Sequence, residues 1–544
     1  MATISSESLK ELFPTPSGIP EEHRLSSPIH QRTYLVGGEV RKWDGEMKTV
    51  LSPICVRQPS GELRQLEIGS HPVLGESECD AALDAAVTAY ANGRGTWPTM
   101  AVAERIACMH DFVKQMLAQR PLIIRLIMWE IGKSVADSQK EFDRTVEYIL
   151  ATIDALKELD NSSSRFEIVE GTIGQIRRTP LGVVLCMGPY NYPLNETFCT
   201  LIPALLMGNT VVFKPPQYGT LLFYPLLEAF RTAFPKGVIN TIHASGAVVV
   251  PHMLASGKIN VLALIGSSKV ADHLKKQHPK SHRLRAILGL DAKNAAIILP
   301  DADLELTVKE CLLGTLSFNG QRCTALKMLI VHRSVVDKFL QRFTEELAKL
   351  KVGMPWEKGV NITPLPGLHR TAYMTEAIED AKAKGARVVN EGGGVYCATL
   401  FYPAVIYPAQ EGMKVYREEQ FGPLIPVMPF DEVETALDYV ITSDHGQQVS
   451  VFGSSPGQIG ALVDPLVNQV CRVNINCQCQ RGPDVFPFAG RKDSAEGTLS
   501  VTDALRAFSI RSMVATKQTD ASKALLDTIV LGHKSKFINT RFIF

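Results

Sequence analysis

Residues 317–327 read SFNGQRCTALK and set a cysteine where it can serve as a nucleophile. Cys323 follows Gly320, Gln321 and Arg322 and belongs to no metal-type cysteine spacing. A thiol attacks an aldehyde carbonyl as its thiolate, and a neighbouring cation with backbone amides favours the ionised form. Arg322 is that cation in sequence. On this window alone Cys323 reads equally well as a small buried residue, the commonest fate of a free cysteine. The rest of the chain separates the two readings.

A chain of 544 residues exceeds one core and divides into two or three domains. It is 45% hydrophobic and 21% charged, with a net charge of +1. That balance holds no basic surplus for nucleic acid or an anionic membrane, so the expected partners are small molecules. The 11 cysteines are scattered and odd in number, and the first residues carry Glu7 and Glu11 without the apolar core of a signal peptide. A reducing cytoplasm is the expected compartment. The uncharged stretches around 179–195 and 197–213 are broken by Pro180, Pro189, Pro193, Pro203 and Gly208, which argues for buried strands and a short helix, with no membrane span. Cys477 and Cys479 stand one residue apart with no second pair, so no metal is expected.

Residues 1–34 carry Pro14, Pro20 and Pro28 without a sustained period and read as an extension lying over the surface. Short runs from 35 to 75 suggest a β-meander, and four amphipathic helices follow. In the last of these Phe142, Val146, Ile149, Ile153 and Leu156 form one stripe, with Arg144 beside it. Residues 161–180 read as a hairpin around Gly171 that projects as an oligomerisation arm. From 181 to 300, GVVLCMG, NTVVFKP, INTIHA, VLALIG and AAIILP alternate with helix-length segments, the pattern of a doubly wound parallel sheet with its ligand at the strand C-termini. There is no GxGxxG. A second run of the same kind spans 301–475 and carries Cys323, which puts catalysis in a cleft between the two units. The terminal KFINTRFIF either docks on a partner subunit or frays.

Six motifs, GPYNYPLNE, VVFKPP, ALIGSSKVA, FNGQRCTA, REEQFGPLIPV and FPFAGRKDS, fall in the order and spacing of the aldehyde dehydrogenase superfamily over roughly 35–517. The resemblance implies an aldehyde dehydrogenase-like α/β fold, with two doubly wound domains and an oligomerisation β-hairpin arm. It divides the chain into an extension at 1–34, a cofactor-binding domain at 35–160 and 181–289, and the hairpin at 161–180. A catalytic domain at 290–495, a return strand at 496–517 and an extension at 518–544 complete it. A homotetramer or homodimer is implied. The chemistry implied is attack of Cys323 on an aldehyde, hydride transfer to a nicotinamide and release of the acyl group from a thioester.

Asn191 resembles the family's amide donor to the oxyanion, beside the N–H of Cys323. Lys214 resembles the lysine on the adenosine ribose, and Gly246, Gly266, Ser267 and Ser268 match cofactor-binding turns whose amides face the pyrophosphate. Glu419 resembles the glutamate on the nicotinamide ribose, with Phe421 beside it. Gln217 stands where NAD-preferring relatives carry a carboxylate, so NADP is the expected cofactor, with NAD also open. The closest likeness is to non-phosphorylating glyceraldehyde-3-phosphate dehydrogenases. Arg144, Tyr192, Arg322 and Arg481 match their phosphate cluster, and forked guanidinium groups suit a phosphate. A small phosphorylated aldehyde is the expected substrate.

The likeness fails at residues 288–294, LGLDAKN, where the family reads ELGGK. Gly289 replaces the glutamate that activates water against the thioester, and Asp291 and Ala292 replace two glycines. Such general-base help is worth about 10²–10⁴ in rate. Three readings follow: Asp291 substitutes as the base, the acyl group leaves to coenzyme A or phosphate, or the protein binds nucleotide with little turnover.

Overall fold

Two parallel sheets carry the fold of the computed structural model, which describes residues 4–544. In the first, Val183–Met187, Thr210–Lys214, Ile239–Thr241, Val261–Ile265 and Arg285–Gly289 pair in parallel, and Ala495–Glu496 closes one edge antiparallel. Val183–Met187 is buried throughout, so it reads as a continuous apolar run without alternation. From this strand the chain steps outward to 210–214 and 239–241, then returns to its other side at 261–265. The order reverses there, and a crevice opens beyond the strand ends at Met187 and Ile265.

After four intervening residues, 290–293, the chain enters the second sheet. Asn294–Ile298 lies between Leu326–His332 and Gln448–Phe452, with Leu424–Phe430, Ala404–Tyr407 and Arg472–Ile475 farther out. AAIILP therefore belongs to the second sheet, although it continues the first run in sequence. A parallel strand looks the same from sequence whichever sheet receives it.

The helix Val135–Ser162 buries Phe142, Ile149, Ile153 and Leu156 and packs against Asn195–Leu206. It runs past the expected start of the hairpin. The arm proper is Glu167–Val169 with Thr172–Pro180, joined antiparallel by Ser509–Lys517 from the C-terminal part.

Both chain ends differ from the sequence reading. The N-terminal segment forms a helix, Ser6–Glu11, and buries Leu9 and Phe13 in the body. One apolar residue in a six-residue helix, with Phe13 just beyond its end, leaves too little pattern to read. After a helix at Asp520–Leu531 the C-terminal tail seats on its own subunit. Asn161 and Ile543 exchange two hydrogen bonds of 2.8 Å, and Gln175 Nε2 donates to the Asn539 carbonyl at 2.6 Å.

Candidate active site

The loop that carries Cys323 is set by backbone geometry. After the helix Leu304–Leu316, Phe318, Asn319 and Gly320 all take positive φ, at 49°, 56° and 70°. Asn319 is locked there by exchanging hydrogen bonds of 3.0 Å with the Thr363 backbone. A Cβ on Gly320 would lie 2.7 Å from the Gly422 carbonyl oxygen, so the loop accepts only glycine. The buried Lys327 ammonium donates to the carbonyls of Gly320 and Gln420 at 3.1 and 3.0 Å, and Asn294 Nδ2 donates to the Cys323 carbonyl at 2.7 Å. Cys323 is thereby held half-buried on the wall of a cavity of about 1200 Å³.

The Cys323 thiol is pushed up to about 11, chiefly by burial and then by the charges of Glu196 and Glu419, against the opposing pull of Arg481 and a hydrogen bond with Gln447. Arg322 does not play the part its position in sequence suggested. It lines the cavity, but Nη2 turns to the carbonyls of Gly314 and Leu313 at 3.0 and 3.4 Å, satisfying the open C-terminal end of the preceding helix.

Asn191 reaches the same loop, with Nδ2 donating to the Gln321 carbonyl at 2.8 Å and its second N–H left over. Its own carbonyl accepts from Lys133 Nζ at 2.7 Å. Lys133 and Glu141 form a fully buried ion pair at 2.5 Å, and Glu141 Oε1 accepts the Leu194 and Asn195 N–H groups at 3.0 and 3.2 Å. The pair braces the whole PYNYP turn. Sequence reasoning passed over both residues, because a lysine just past a helix end reads as a solvated surface cation.

The cavity continues past Lys214 and Gln217 into an outer chamber of about 1090 Å³. Burial pulls Lys214 down to about 8, with Lys48 adding to the effect. Gly246 opens the helix Gly246–Ala255, where a Cβ would come 3.3 Å from Lys214 Cε. Lys48 and Lys269 also line this chamber and were missed in sequence. A half-buried cation, a glycine under it and two further lysines around Gln217 fit a dinucleotide with an extra phosphate, as NADP has. Glu419 lies nearer Cys323. Burial raises its carboxyl to about 7, Oε1 stands 3.6 Å from Lys327 Nζ, and that oxygen has no hydrogen-bond partner. Phe421 packs edge-on against Tyr190, with centroids 5.8 Å apart.

The base position departs from the motif in two ways. Asp291 lines the cavity, and its Oδ2 accepts both the Ser268 N–H and the Ser268 hydroxyl at 2.8 Å, which anchors the side chain at a helix start. By the same contact the Ser268 amide is engaged internally, and only Gly266 and Ser267 of that turn line the cavity. At Gly289 an added Cβ would lie 3.3 Å from Leu499 Cδ1 and 3.4 Å from Ile265 Cγ1, so the strand end is closely packed around the missing side chain.

Arg144, Tyr192, Arg322 and Arg481 do line one chamber with Cys323. Their charges are not free. Arg144 binds both Asp484 oxygens at 3.0 and 2.7 Å, while Arg481 binds Glu196 and stands 3.3 Å from Asp484. Glu196 was not singled out in sequence. The signal was present: it is the only charged residue in Asn195–Leu206, a helix buried at every position. Among the described residues no group of three or more His, Cys, Asp or Glu side chains is arranged to hold a metal ion.

Residues 52–514 match the aldehyde dehydrogenase family. The chain is 32% identical over 491 residues to the NADP-dependent glyceraldehyde-3-phosphate dehydrogenase of Streptococcus equinus, covering 88% of this chain and 97% of that protein. It is 28% identical over 414 residues to the 3-sulfolactaldehyde dehydrogenase of Priestia aryabhattai, covering 73% and 83%. Among solved structures, the NADP-dependent glyceraldehyde-3-phosphate dehydrogenase from Bacillus halodurans C-125 complexed with NADP superposes with a TM-score of 0.81 at 29% identity. That match covers 90% of this chain and all of that one.

Proposed function

The chain belongs to the aldehyde dehydrogenase family, and from that premise we propose that it catalyses the NADP-dependent oxidation of a small phosphorylated aldehyde, glyceraldehyde 3-phosphate to 3-phosphoglycerate, through a thioester on Cys323. The supporting observation is a single cavity that joins Cys323 and Asn191 to a chamber with three arginines on one side and to Lys214 and Gln217 on the other. The NADP-dependent relatives support the same reading.

In this proposal Cys323 Sγ gives its proton to solvent in the cavity and forms a bond to the aldehyde carbon, and the carbonyl π electrons move onto oxygen. The spare N–H of Asn191 and the Cys323 N–H, which donates to no acceptor among the described residues, stabilise that oxyanion. Bound NADP would accept the hydride that leaves the carbon; Lys214, Gln217, Gly246, Gly266 and Ser267 would hold it, with Glu419 and Phe421 at its reactive end. The cysteine then carries an acyl thioester. Water must break the C–S bond; Gly289 has no group to take its proton, and Asp291 has Oδ2 committed to Ser268. Deacylation is therefore the slow step. A second reading, transfer to coenzyme A or phosphate, is favoured by the same glycine, since a thiol or phosphate acceptor does not need that base. We also place the protein in the cytoplasm as a homotetramer or homodimer, supported by exposed Ile168, Val169 and Met513 on the three-stranded arm. No helix among the described residues is long and apolar enough to cross a membrane.

Rapid mixing with NADP and glyceraldehyde 3-phosphate tests the reading. The expected trace is an NADPH burst near one equivalent per site followed by a slow phase, which coenzyme A or phosphate accelerates if either is the acceptor. Absence of NADPH at every concentration of this aldehyde sinks the proposal.

A further inference from the structure

A separate cavity of about 740 Å³ opens where the C-terminal tail meets the start of the helix Val102–Ala118 and the strand Thr172–Pro180, and it shares no lining residue with the cavity of Cys323. Six lysine and arginine side chains line it, with His533 and a single carboxylate, Asp160. Two of the cations are already answered. Arg177 Nη1 donates to Asp160 at 2.7 Å, and Lys536 Nζ donates at 3.0 Å to Glu104, which does not itself line the cavity. Arg178 turns aside, giving Nε to the Ser509 hydroxyl at 2.7 Å and Nη2 to the Arg506 carbonyl at 2.8 Å. Arg105, Lys534 and Arg541 remain, and among the described residues none of the three forms an ion pair.

Arg105 is the buried member of this set, at 4% exposure. Its Nε donates to the Leu206 carbonyl at 2.9 Å and Nη1 to the Met100 carbonyl at 2.6 Å, while Nη2 meets no acceptor among the described residues. Burial pulls its ionisation down, and Asp160 and Glu104 oppose that from beyond hydrogen-bond reach. A buried charge without a bonded counter-ion is costly, and an anion in the cavity would supply one. The buried Nε of Arg177 also lacks a partner. Lys534 and Arg541 lie beyond residues 52–514, so part of this cavity is built by sequence outside the family match.

A phosphate monoester carries about 1.5 to 2 negative charges, so two phosphoryl groups balance three cations where one falls short. Guanidinium forks suit phosphate oxygens, and Tyr90, Phe537 and Ile543 supply apolar wall for an organic body. We propose that this cavity is a second ligand site, which binds a small organic molecule carrying two phosphoryl groups between Arg105 and the tail cations Lys534 and Arg541. It stands independently of the reaction assigned to Cys323, because its test reads binding alone.

Titration calorimetry on the full-length chain, saturated with NADP in magnesium-free buffer, is the test. Inorganic pyrophosphate and ADP are the probes, with inorganic phosphate and AMP as their counterparts bearing one phosphoryl group. Each probe should bind at least about ten-fold more tightly than its counterpart. Lys534→Glu combined with Arg541→Glu should weaken both probes about ten-fold or more and leave the affinity for NADP as it was. Lys349→Glu combined with Lys382→Glu makes the same change of charge at exposed positions elsewhere and should leave both affinities in place. Arg105→Met should abolish binding, and where that variant fails to fold the tail variant decides alone. Absence of pyrophosphate binding in the parent overturns the proposal. So does binding that survives the tail variant, or that falls equally in the Lys349 and Lys382 control. Pyrophosphate binding with ADP excluded overturns the organic ligand and leaves a site for an inorganic anion only.

Discussion

The loop that carries Cys323 and the strand end at Gly289 approach one cavity from opposite sheets, and they are built differently. Around the loop, buried ammonium and amide groups from Lys327, Asn319 and Asn294 hold the backbone, and the Lys133–Glu141 pair holds the facing turn of Asn191. Burying such charges is costly unless every hydrogen bond is made, and here the bonds are made to backbone that must not move. The strand end has no such frame. A glycine stands where the family motif has an acid, Leu499 and Ile265 close around it, and Asp291, two residues on, has Oδ2 spent on a helix start. On the proposed thioester reading, the contrast means that the two half-reactions draw on separable structure: the elements assigned to attack and oxyanion stabilisation are braced, and the position assigned to water activation is not.

The sharpest way to break this contrast is Cys323→Ala, which should lower NADPH production about 10⁴-fold or more and remove the burst entirely. Burst amplitude in stopped flow checks it, and a surviving burst would move the nucleophile elsewhere. Next in size is Lys133→Met. It leaves Glu141 buried and unpaired, and should cost about 3–5 kcal/mol of stability in urea denaturation. The burst should weaken with it, because the Asn191 turn loses its brace; full stability would mean that the pair is ornamental to the acylation side. A smaller effect concerns pH. Glu419 is the cavity carboxylate raised to about 7, and its Oε1 lacks a partner. If it supplies what base help remains, the slow phase needs it ionised, so the rate should rise about ten-fold from pH 6 to pH 8 and level off above. A slow phase that keeps rising ten-fold per pH unit would instead report unassisted hydroxide.

Much of this molecule was legible in sequence for a physical reason. Parallel strands covered on both faces read as apolar runs, and the motifs around Lys214, Cys323 and Glu419 sit at the ends of such runs. Three features resisted. AAIILP follows the first run without a break, yet pairs in the second sheet, since strand order is decided by partners far away in sequence. Arg322 adjoins Cys323 in the chain but points back to the Gly314 carbonyl, because adjacent residues at a turn face different directions. Glu196 meets Arg481 across 285 residues of chain and Asp484 meets Arg144 across 340, so no local window joins those two pairs, although Asp484 stands three residues from Arg481. Even so, a lone acid inside an apolar helix, as Glu196 is, signals a buried partner.

The smallest expected effect sharpens the comparison most, because one substitution acts on both sides of it. Asp291 now occupies the Ser268 N–H and hydroxyl, at the positive end of the helix Ser268–Lys275, with its negative charge toward Glu419. Asp291→Gly frees those donors for an incoming pyrophosphate and removes a like charge from its path. NADP should then bind about five-fold more tightly in a fluorescence titration. The same change strips Glu419 of the neighbouring anion that raises its proton affinity. Its titration should move below 7, and the levelling of the slow phase should move to lower pH with it. Tighter binding without that move would separate Glu419 from the slow step. Weaker binding would show that Asp291 instead holds the turn in the shape the cofactor needs, which would make the departure at LGLDAKN a rebuilt cofactor site rather than the loss of a catalytic one.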